Sequence, residues 1–249
     1  MFKQSRIWQL GVAAAAALAF IGNAEADSVT AQLKQYKGGT INVSFGDTTV
    51  QGGAGIFLWQ MQAETGDALG LAAGDDFVTF CIEAAEAVSL NQTHTYAAVD
   101  PAYAPNEGWP QMGADRANLL AAWYSAYYLG DSLSDWTNTE AMAFQMGVWE
   151  IVAETSLDFD LGDGHLRINN QSTARDLAQQ WLDDASWMDT PITHKLVALT
   201  SPWDDVASQH IQDQIVAVNA VPAPPAVLAG LGLMGGLGFG RWVKRRRKA

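Results

Sequence analysis

The spacing of apolar residues changes character along the chain, and its first part predicts β-structure. Residues 28–59 read as strands, because Ile41 to Phe45 alternates between apolar and polar side chains. The pairs Gly46–Asp47 and Gly52–Gly53 are typical of turns. Phe77 to Ile82 is a run of aromatic and β-branched residues, which predicts a buried strand.

A helical period follows residues 91–113, which are rich in Asn, Pro and Gly and predict a loop. Apolar side chains then recur every three or four residues and predict a helix over 115–129. Thr137 and Glu140 have the spacing of a capping box, which starts a second helix. Its apolar face is formed by Ala141, Met142, Gln145, Val148, Trp149 and Val152. A third helix is predicted over 173–185.

The remaining segments complete a mixed pattern. Residues 157–168 have the character of a hairpin around Gly162 and Gly164. Residues 194–200 and 211–219 read as short strands. Strands, then helices, then strands again predict an α+β domain with about three helices inserted between strands, spanning residues 27–220 without an internal repeat or long linker.

The amino-terminal segment has the three parts of a secretory signal peptide. Lys3 and Arg6 precede an apolar run over residues 10–21. Ala24 and Ala26 form a small-x-small cleavage site, so we expect cleavage after Ala26 and a signal peptide over residues 1–26. An uncleaved membrane anchor is the alternative.

The carboxyl-terminal segment has a different three-part pattern over residues 221–249. A proline-rich break precedes fifteen apolar residues, 226–240, and six basic residues then lie within 241–248. Such a segment stops in the inner membrane with its basic end in the cytoplasm. It is short and rich in glycine, which favours a processing signal over a permanent anchor.

This segment resembles a PEP-CTERM sorting tail, which exosortases recognise in Gram-negative bacteria with exopolysaccharide systems. The resemblance implies transient membrane contact through residues 226–243, removal of the tail and delivery to the cell surface or extracellular matrix. The residues it assigns to sorting are Pro222, Pro224, Pro225, Arg241, Arg245, Arg246 and Arg247. Ala223 stands where the pattern usually has Glu. A simple tail anchor is the alternative reading.

Charge and cysteine content exclude several classes of function. The whole chain has a net charge of −13, and residues 27–220 hold six basic against 26 acidic residues. A body this acidic repels phosphate backbones, so we expect no nucleic-acid partner. A single cysteine excludes an internal disulfide framework and multi-cysteine metal sites. We expect no cofactor.

Two residues of the body are chemically unusual. Gln145 lies on the apolar face of its predicted helix, and a buried amide without partners costs about 1–3 kcal/mol. Cys81 is the only thiol of a chain that its first 26 residues predict to be exported, so it is a small buried hydrophobic residue, a reactive thiol or part of an intermolecular bond. They are either a satisfied core amide and a buried hydrophobic residue, or a reactive pair. A thiolate that attacks a glutamine carboxamide expels ammonia and leaves an internal thioester.

The sequence around both residues resembles the Cys–Gln thioester domains of bacterial surface adhesins. Phe80–Glu83 resembles the cysteine motif of that family, and Phe144–Ile151 resembles its glutamine motif. The resemblance implies that Cys81 and Gln145 form the bond, that Trp149 packs beside them, and that the protein attaches covalently to a surface amine, hydroxyl or polysaccharide. Gly147 and Phe144 depart from the residues usual at those positions. Such a protein acts once and is not an enzyme.

Two weaker patterns suggest other chemistry. Asp158, Asp160 and Asp163 precede a glycine and are either a calcium-binding loop or a solvated acidic turn. Glu83 and Glu86 have the residue types of a glycosidase pair.

Aromatic residues near the first helix either line a sugar-binding face or belong to the core, and their helical spacing favours the core. They are Trp109, Trp123, Tyr124, Tyr127 and Tyr128. A glycine pattern over residues 230–235 lies in the tail, outside any strand–helix unit, and does not predict dinucleotide binding. The main competing hypothesis is a non-covalent structural protein of the exopolysaccharide or biofilm matrix.

Overall fold

A computed structural model describes residues 27–84, 86–105, 110–154, 156–170, 172–201 and 211–219. The predicted signal cleavage site at Ala24 and Ala26, Trp109 and the predicted sorting tail lie outside these residues.

The described part of the chain contains seven strands in one sheet, and all pairings between them are antiparallel. The strands are β1 (Ser28–Phe45), β2 (Thr48–Thr65), β3 (Asp76–Cys81), β4 (Thr93–Val99), β5 (Leu166–Ile168), β6 (His194–Thr200) and β7 (Gln214–Asn219). Their order is β2-β3-β7-β6-β4-β1-β5. Because β1 also pairs with β2, six of the strands close into a ring, and β5 extends the sheet at the end of β1.

Among the described residues, three α-helices accompany the sheet: α1 (Gly113–Tyr127), α2 (Asn138–Ala153) and α3 (Thr173–Asp183). The α+β class predicted from the sequence is confirmed. The capping box at the start of α2 is also confirmed, since Glu140 N donates to Thr137 Oγ1 and Thr137 N donates to the Glu140 carboxylate. Within the residues described, no helix is both long and apolar enough to cross a bilayer.

Two predictions about the strand regions were wrong. Gly52 and Gly53 lie inside β2, paired with Ile41 and Thr40, because the long partner strand β1 imposes extended structure on them. The loop predicted over 91–113 contains β4, which pairs with both β1 and β6. In each case pairing with a distant segment outweighs the local turn signal.

The hairpin predicted over 157–168 was also wrong. A turn is present at Gly162 and Gly164, but the only strand there is the three-residue β5. This strand pairs with Val43–Phe45 of β1 and does not fold back on its own neighbour.

Helix α2 lies at the centre of the packing. Twelve of its sixteen residues are buried, so the apolar face predicted from its sequence is only part of its contact surface. Trp123 and Tyr124 of α1 are fully buried against it, while Tyr127 stacks on Trp181 of α3 with ring centroids 4.9 Å apart. Trp123 and Tyr124 belong to the core, and Tyr127 and Tyr128 are partly buried against it, in agreement with the reading that their helical spacing favours.

Candidate functional site

Cys81 and Gln145 are brought together by the aromatic residues that precede them. Phe80 and Phe144 pack with their ring centroids 4.6 Å apart, and Phe144 also packs on Tyr124 and Trp136. Each aromatic pair contributes about 0.5–1.5 kcal/mol beyond its burial. This packing sets the last residue of β3 against the middle of α2.

The carboxamide of Gln145 pairs with the backbone of Cys81 on both sides. Gln145 Nε2 donates to Cys81 O at 2.7 Å, and Cys81 N donates to Gln145 Oε1 at 2.9 Å. Both residues are completely inaccessible to solvent. The buried amide is therefore satisfied, and its partner is the chain's single cysteine.

The thiol itself contacts the same amide. Cys81 Sγ donates to Gln145 Oε1 at 3.3 Å. Because a carbonyl bond is about 1.2 Å long, Sγ lies within about 4.5 Å of the carboxamide carbon. Attack on a carbonyl begins at about 3–3.5 Å, so a shift on the order of 1 Å brings the atoms into reaction distance.

The pair is buried away from solvent, and the indole of Trp149 is a hydrogen-bond donor close to the sulfur. Burial raises the pKa of the Cys81 thiol far above its ordinary value, while the indole N–H of Trp149 opposes that rise in part. Trp149 is fully buried, and its Nε1 makes no hydrogen bond of ordinary geometry. This free donor is suited to a negative charge on the sulfur. Cys81 N is likewise placed to stabilise a negative charge on Gln145 Oε1.

The departure from the thioester-domain motif at Gly147 has a structural cause. A Cβ atom at this position would overlap the six-membered ring of Trp123. Trp123 packs in turn against Phe144 with ring centroids 5.8 Å apart. The small residue on α2 and the large residue on α1 are thus complementary.

We expect Gly147→Ala to destabilise the protein by about 1–3 kcal/mol through overpacking. This loss exceeds the gain of about 1 kcal/mol that alanine brings to a helix interior. Urea unfolding measures the effect. Adding Trp123→Phe, which removes the overlapping ring, should recover part of the stability lost to Gly147→Ala. Strictly additive changes in the double variant would contradict this explanation.

A buried polar network adjoins Cys81 and was not predicted. Glu83 accepts a hydrogen bond from Asp213 N at 3.0 Å, and Gln212 Nε2 donates to the backbone carbonyls of Glu83 and Glu86 at 2.7 and 2.8 Å. Burial, followed by the Asp213 carboxylate, raises the pKa of Glu83 to about 9. Glu83 is only 2% exposed and its carboxyl group accepts from Asp213 N, so it is not accessible to a sugar, and this arrangement does not favour the glycosidase pair.

The three aspartates considered for calcium lie in the loop between α2 and β5. Asp160 Oδ1 accepts a hydrogen bond from Gly162 N at 2.8 Å, as in a turn. In the described part of the chain, no three His, Cys, Asp or Glu side chains are arranged to hold a metal ion.

Glu150 is a further buried acid, and the sequence did not single it out. It lies on α2 next to Trp149, has no solvent exposure, and neither carboxyl oxygen makes a hydrogen bond of ordinary geometry. Burial, followed by the charge of Glu154, raises its pKa to about 9. The side chain is therefore neutral in the folded protein at neutral pH.

Glu150→Gln is expected to stabilise the protein at alkaline pH. An acid whose pKa rises on folding from 4.5 to about 9 binds its proton more tightly in the folded state, so the protein loses stability as the pH rises between these values. Removing the group should raise the free energy of unfolding by about 1–3 kcal/mol at about pH 8 and much less at about pH 5. Urea unfolding at both pH values measures this.

Glu140→Gln on the same helix is the matched control. Hydrogen bonds from Thr137 lower the pKa of Glu140, so its stabilising contribution is present at neutral pH and is lost as the pH falls. This variant should be less stable than the wild type at about pH 8, opposite in sign to Glu150→Gln. Equal pH profiles for Glu150→Gln and the wild type would contradict the assignment.

Comparisons of the chain with protein-family models, with curated proteins and with solved structures found no match. The geometry of the Cys81–Gln145 site therefore carries the functional proposal.

Proposed function

We propose that this protein is an exported surface protein whose body forms an internal thioester between Cys81 and Gln145 and uses it for covalent adhesion. The observation that carries the proposal is the direct contact between the only thiol of the chain and a fully buried carboxamide. The thioester type of body, over residues 27–220, rests on that contact and on the two sequence motifs.

The bond-forming step is balanced without any co-reactant. Cys81 Sγ attacks the carboxamide carbon of Gln145, the thiol proton passes to the amide nitrogen, and ammonia leaves. Cys81 N stabilises the carbonyl oxygen during attack. Reactants and products are neutral overall, which suits a site that holds no solvent-exposed atom of either residue.

The low amine content of the body supports a stored electrophile. Residues 27–220 contain three lysines, Lys34, Lys37 and Lys195. The amine of Lys37 donates to Leu133 O at 2.7 Å, and that of Lys34 donates to Gln32 Oε1 at 3.1 Å. Few amines are therefore free to open the thioester from within.

The terminal segments support the proposed location. The signal peptide over residues 1–26 and the sorting tail over residues 221–249 predict export through the inner membrane of a Gram-negative bacterium and processing by an exosortase. The partner would then be an amine, hydroxyl or polysaccharide at the cell surface or in the extracellular matrix. The protein would act once, without turnover, and is not an enzyme in this proposal.

A non-covalent matrix protein is the second candidate. The observation that favours it is the saturation of the Gln145 carboxamide by the backbone of Cys81, together with a thiol pKa raised by burial. In that case the two residues serve only the packing of β3 against α2.

Retention on an acceptor surface distinguishes the two. The full chain is expressed in a bacterium that carries an exosortase. The exported protein is then incubated with the extracellular matrix of that bacterium. Covalent adhesion predicts that wild-type protein stays attached through a wash in hot detergent and that Cys81→Ala is removed. Equal removal of both proteins would favour the non-covalent matrix role.

A further inference from the structure

A cavity of about 610 Å³ lies between α1 and the segment that leads into β6, and we call it the α1 groove. Leu119 and Ala122 of α1 form one apolar wall, Met188 and Ile192 form another, and Leu157 also lines the groove. Leu157 and Ile192 are 65% and 55% exposed, and they are two of the five large hydrophobic side chains that the described part of the chain exposes. The described residues therefore leave an apolar surface uncovered at this place.

The charged side chains of the groove favour an uncharged occupant over an acidic one. Its only cation among the lining residues is Arg116, which already donates to Ser156 O at 2.6 Å and to Ile151 O at 3.3 Å. Asp115 and Asp189 also line the groove and would repel an acidic ligand. An apolar segment of chain would cover the walls without opposing these charges.

The last strand directs the chain toward this groove. β7 pairs with β6 in one continuous antiparallel register that ends where His194 lies opposite Asn219. Two further positions in the same register would set residue 221 opposite Ile192, which lines the groove. Each residue adds at most about 3.6 Å of chain, so residue 221 lies within about 7 Å of Asn219 in any conformation. The segment that follows β7 therefore begins beside the groove.

This segment suits the groove in chemistry and in length. Residues 220–226 read AVPAPPA, which is apolar and carries no charged side chain. Its three prolines favour a polyproline II helix, in which residues 221–225 span about 15 Å. The part of α1 that lines the groove, residues 115–122, is about 11 Å long. Proline-rich segments bind apolar grooves with little loss of entropy, because their extended helix is formed in advance.

We propose that the α1 groove binds residues 221–225 of the same chain. Leu157 and Ile192 are then covered, and the proline-rich segment is held against the body. The contact fixes the place at which residues 226–249 leave the body. This inference does not use the thioester, and it adds an intramolecular contact to the proposed function.

Labelling of a single cysteine tests whether the groove is occupied. Ala223→Cys is introduced together with Cys81→Ala, so that position 223 carries the only thiol and no thioester forms. The full chain, purified in mild detergent, is treated with a maleimide, and mass spectrometry follows the rate of labelling. We expect slow labelling, and we expect Leu157→Asp to raise the rate on the order of tenfold by releasing the segment. Leu90→Asp, at a leucine outside this groove that is 54% exposed, is the matched control and should leave the rate unchanged.

A pair of cysteines tests the direction of the segment, again with Cys81→Ala. Opposite residues of antiparallel strands have Cα atoms about 4.5–5.5 Å apart, within the range of a disulfide. Ile192→Cys with Val221→Cys should therefore oxidise about tenfold faster than Ile192→Cys with Ala226→Cys. An unbound segment would link both pairs at similar rates, because the free energy of loop closure depends only weakly on length.

The outcomes separate this inference from the proposed function. Equal labelling rates with and without Leu157→Asp, or equal oxidation of both cysteine pairs, would overturn the contact. Protection of position 223 that is lost on dilution would assign the groove to the segment of a second copy, and would overturn the intramolecular contact as well. Because these proteins all lack the Cys81 thiol, none of these results bears on the thioester, which the wild-type mass tests separately.

Discussion

A Cys81→Ala variant is expected to fold and to lose all covalent incorporation of amines. Both strong hydrogen bonds of the Gln145 carboxamide go to the backbone of Cys81, which the substitution leaves in place. Only the thiol contact at 3.3 Å is removed. Loss of the buried sulfur leaves a small cavity that costs about 1–3 kcal/mol, and loss of the thioester removes about 4 kcal/mol of loop restriction as well, so the variant should unfold at a lower denaturant concentration than the wild type.

Mass spectrometry with methylamine measures this result, and circular dichroism reports whether the variant is folded. Gln179→Ala is the control, because the Gln179 carboxamide is also hydrogen-bonded to backbone groups. Its Oε1 accepts from Leu161 N and its Nε2 donates to Phe159 O, both at 2.9 Å. It should lose stability but still incorporate methylamine at Gln145. Incorporation by Cys81→Ala at the wild-type level would exclude a role for the thiol.

Treatment of the wild-type protein with methylamine is expected to lower its free energy of unfolding by about 4 kcal/mol. A Cys81–Gln145 bond closes a loop between residues 64 positions apart, which restricts the unfolded chain in the manner of a disulfide. Opening the bond releases that restriction. It also places an added methyl group in a packed interior, which destabilises the folded state further.

Denaturant unfolding before and after treatment measures this change. Cys81→Ala is the control, because it has no bond to open and its stability should be the same with and without methylamine. Gly147→Ala, two residues along α2 from Gln145, keeps both reactive residues and should still show the loss. An equal fall in stability for wild type and Cys81→Ala would assign the effect to the amine as a co-solvent.

The parts of the fold that were predicted correctly are those set by local patterns. Thr137 and Glu140 specify the start of α2 within one turn of chain, and the run that ends at Cys81 is apolar enough to be read as a buried strand. Gly52 and Gly53 misled the prediction, because their extended conformation depends on pairing with β1. Local composition does not report such a pairing.

The candidate site, like the fold, was predicted from the sequence only where local patterns specify it. Two short motifs predicted the contact between Cys81 and Gln145, since their aromatic neighbours Phe80 and Phe144 bring the two segments together. Nothing local connects Glu83 to Gln212 and Asp213, which are 129 and 130 positions away. A cavity lined by Tyr36 draws its wall from four segments of the chain, the last of them at Gln212, and has no sequence signature of its own.

The intact mass of the full chain, recovered cold and near neutral pH, tests the central claim most directly. The account predicts a mass one ammonia below that of the recovered sequence. Methylamine should then convert this species to one with a methylamide at Gln145 and a newly titratable Cys81 thiol. A full sequence mass, a thiol that titrates only on unfolding and no methylamine adduct would contradict the thioester.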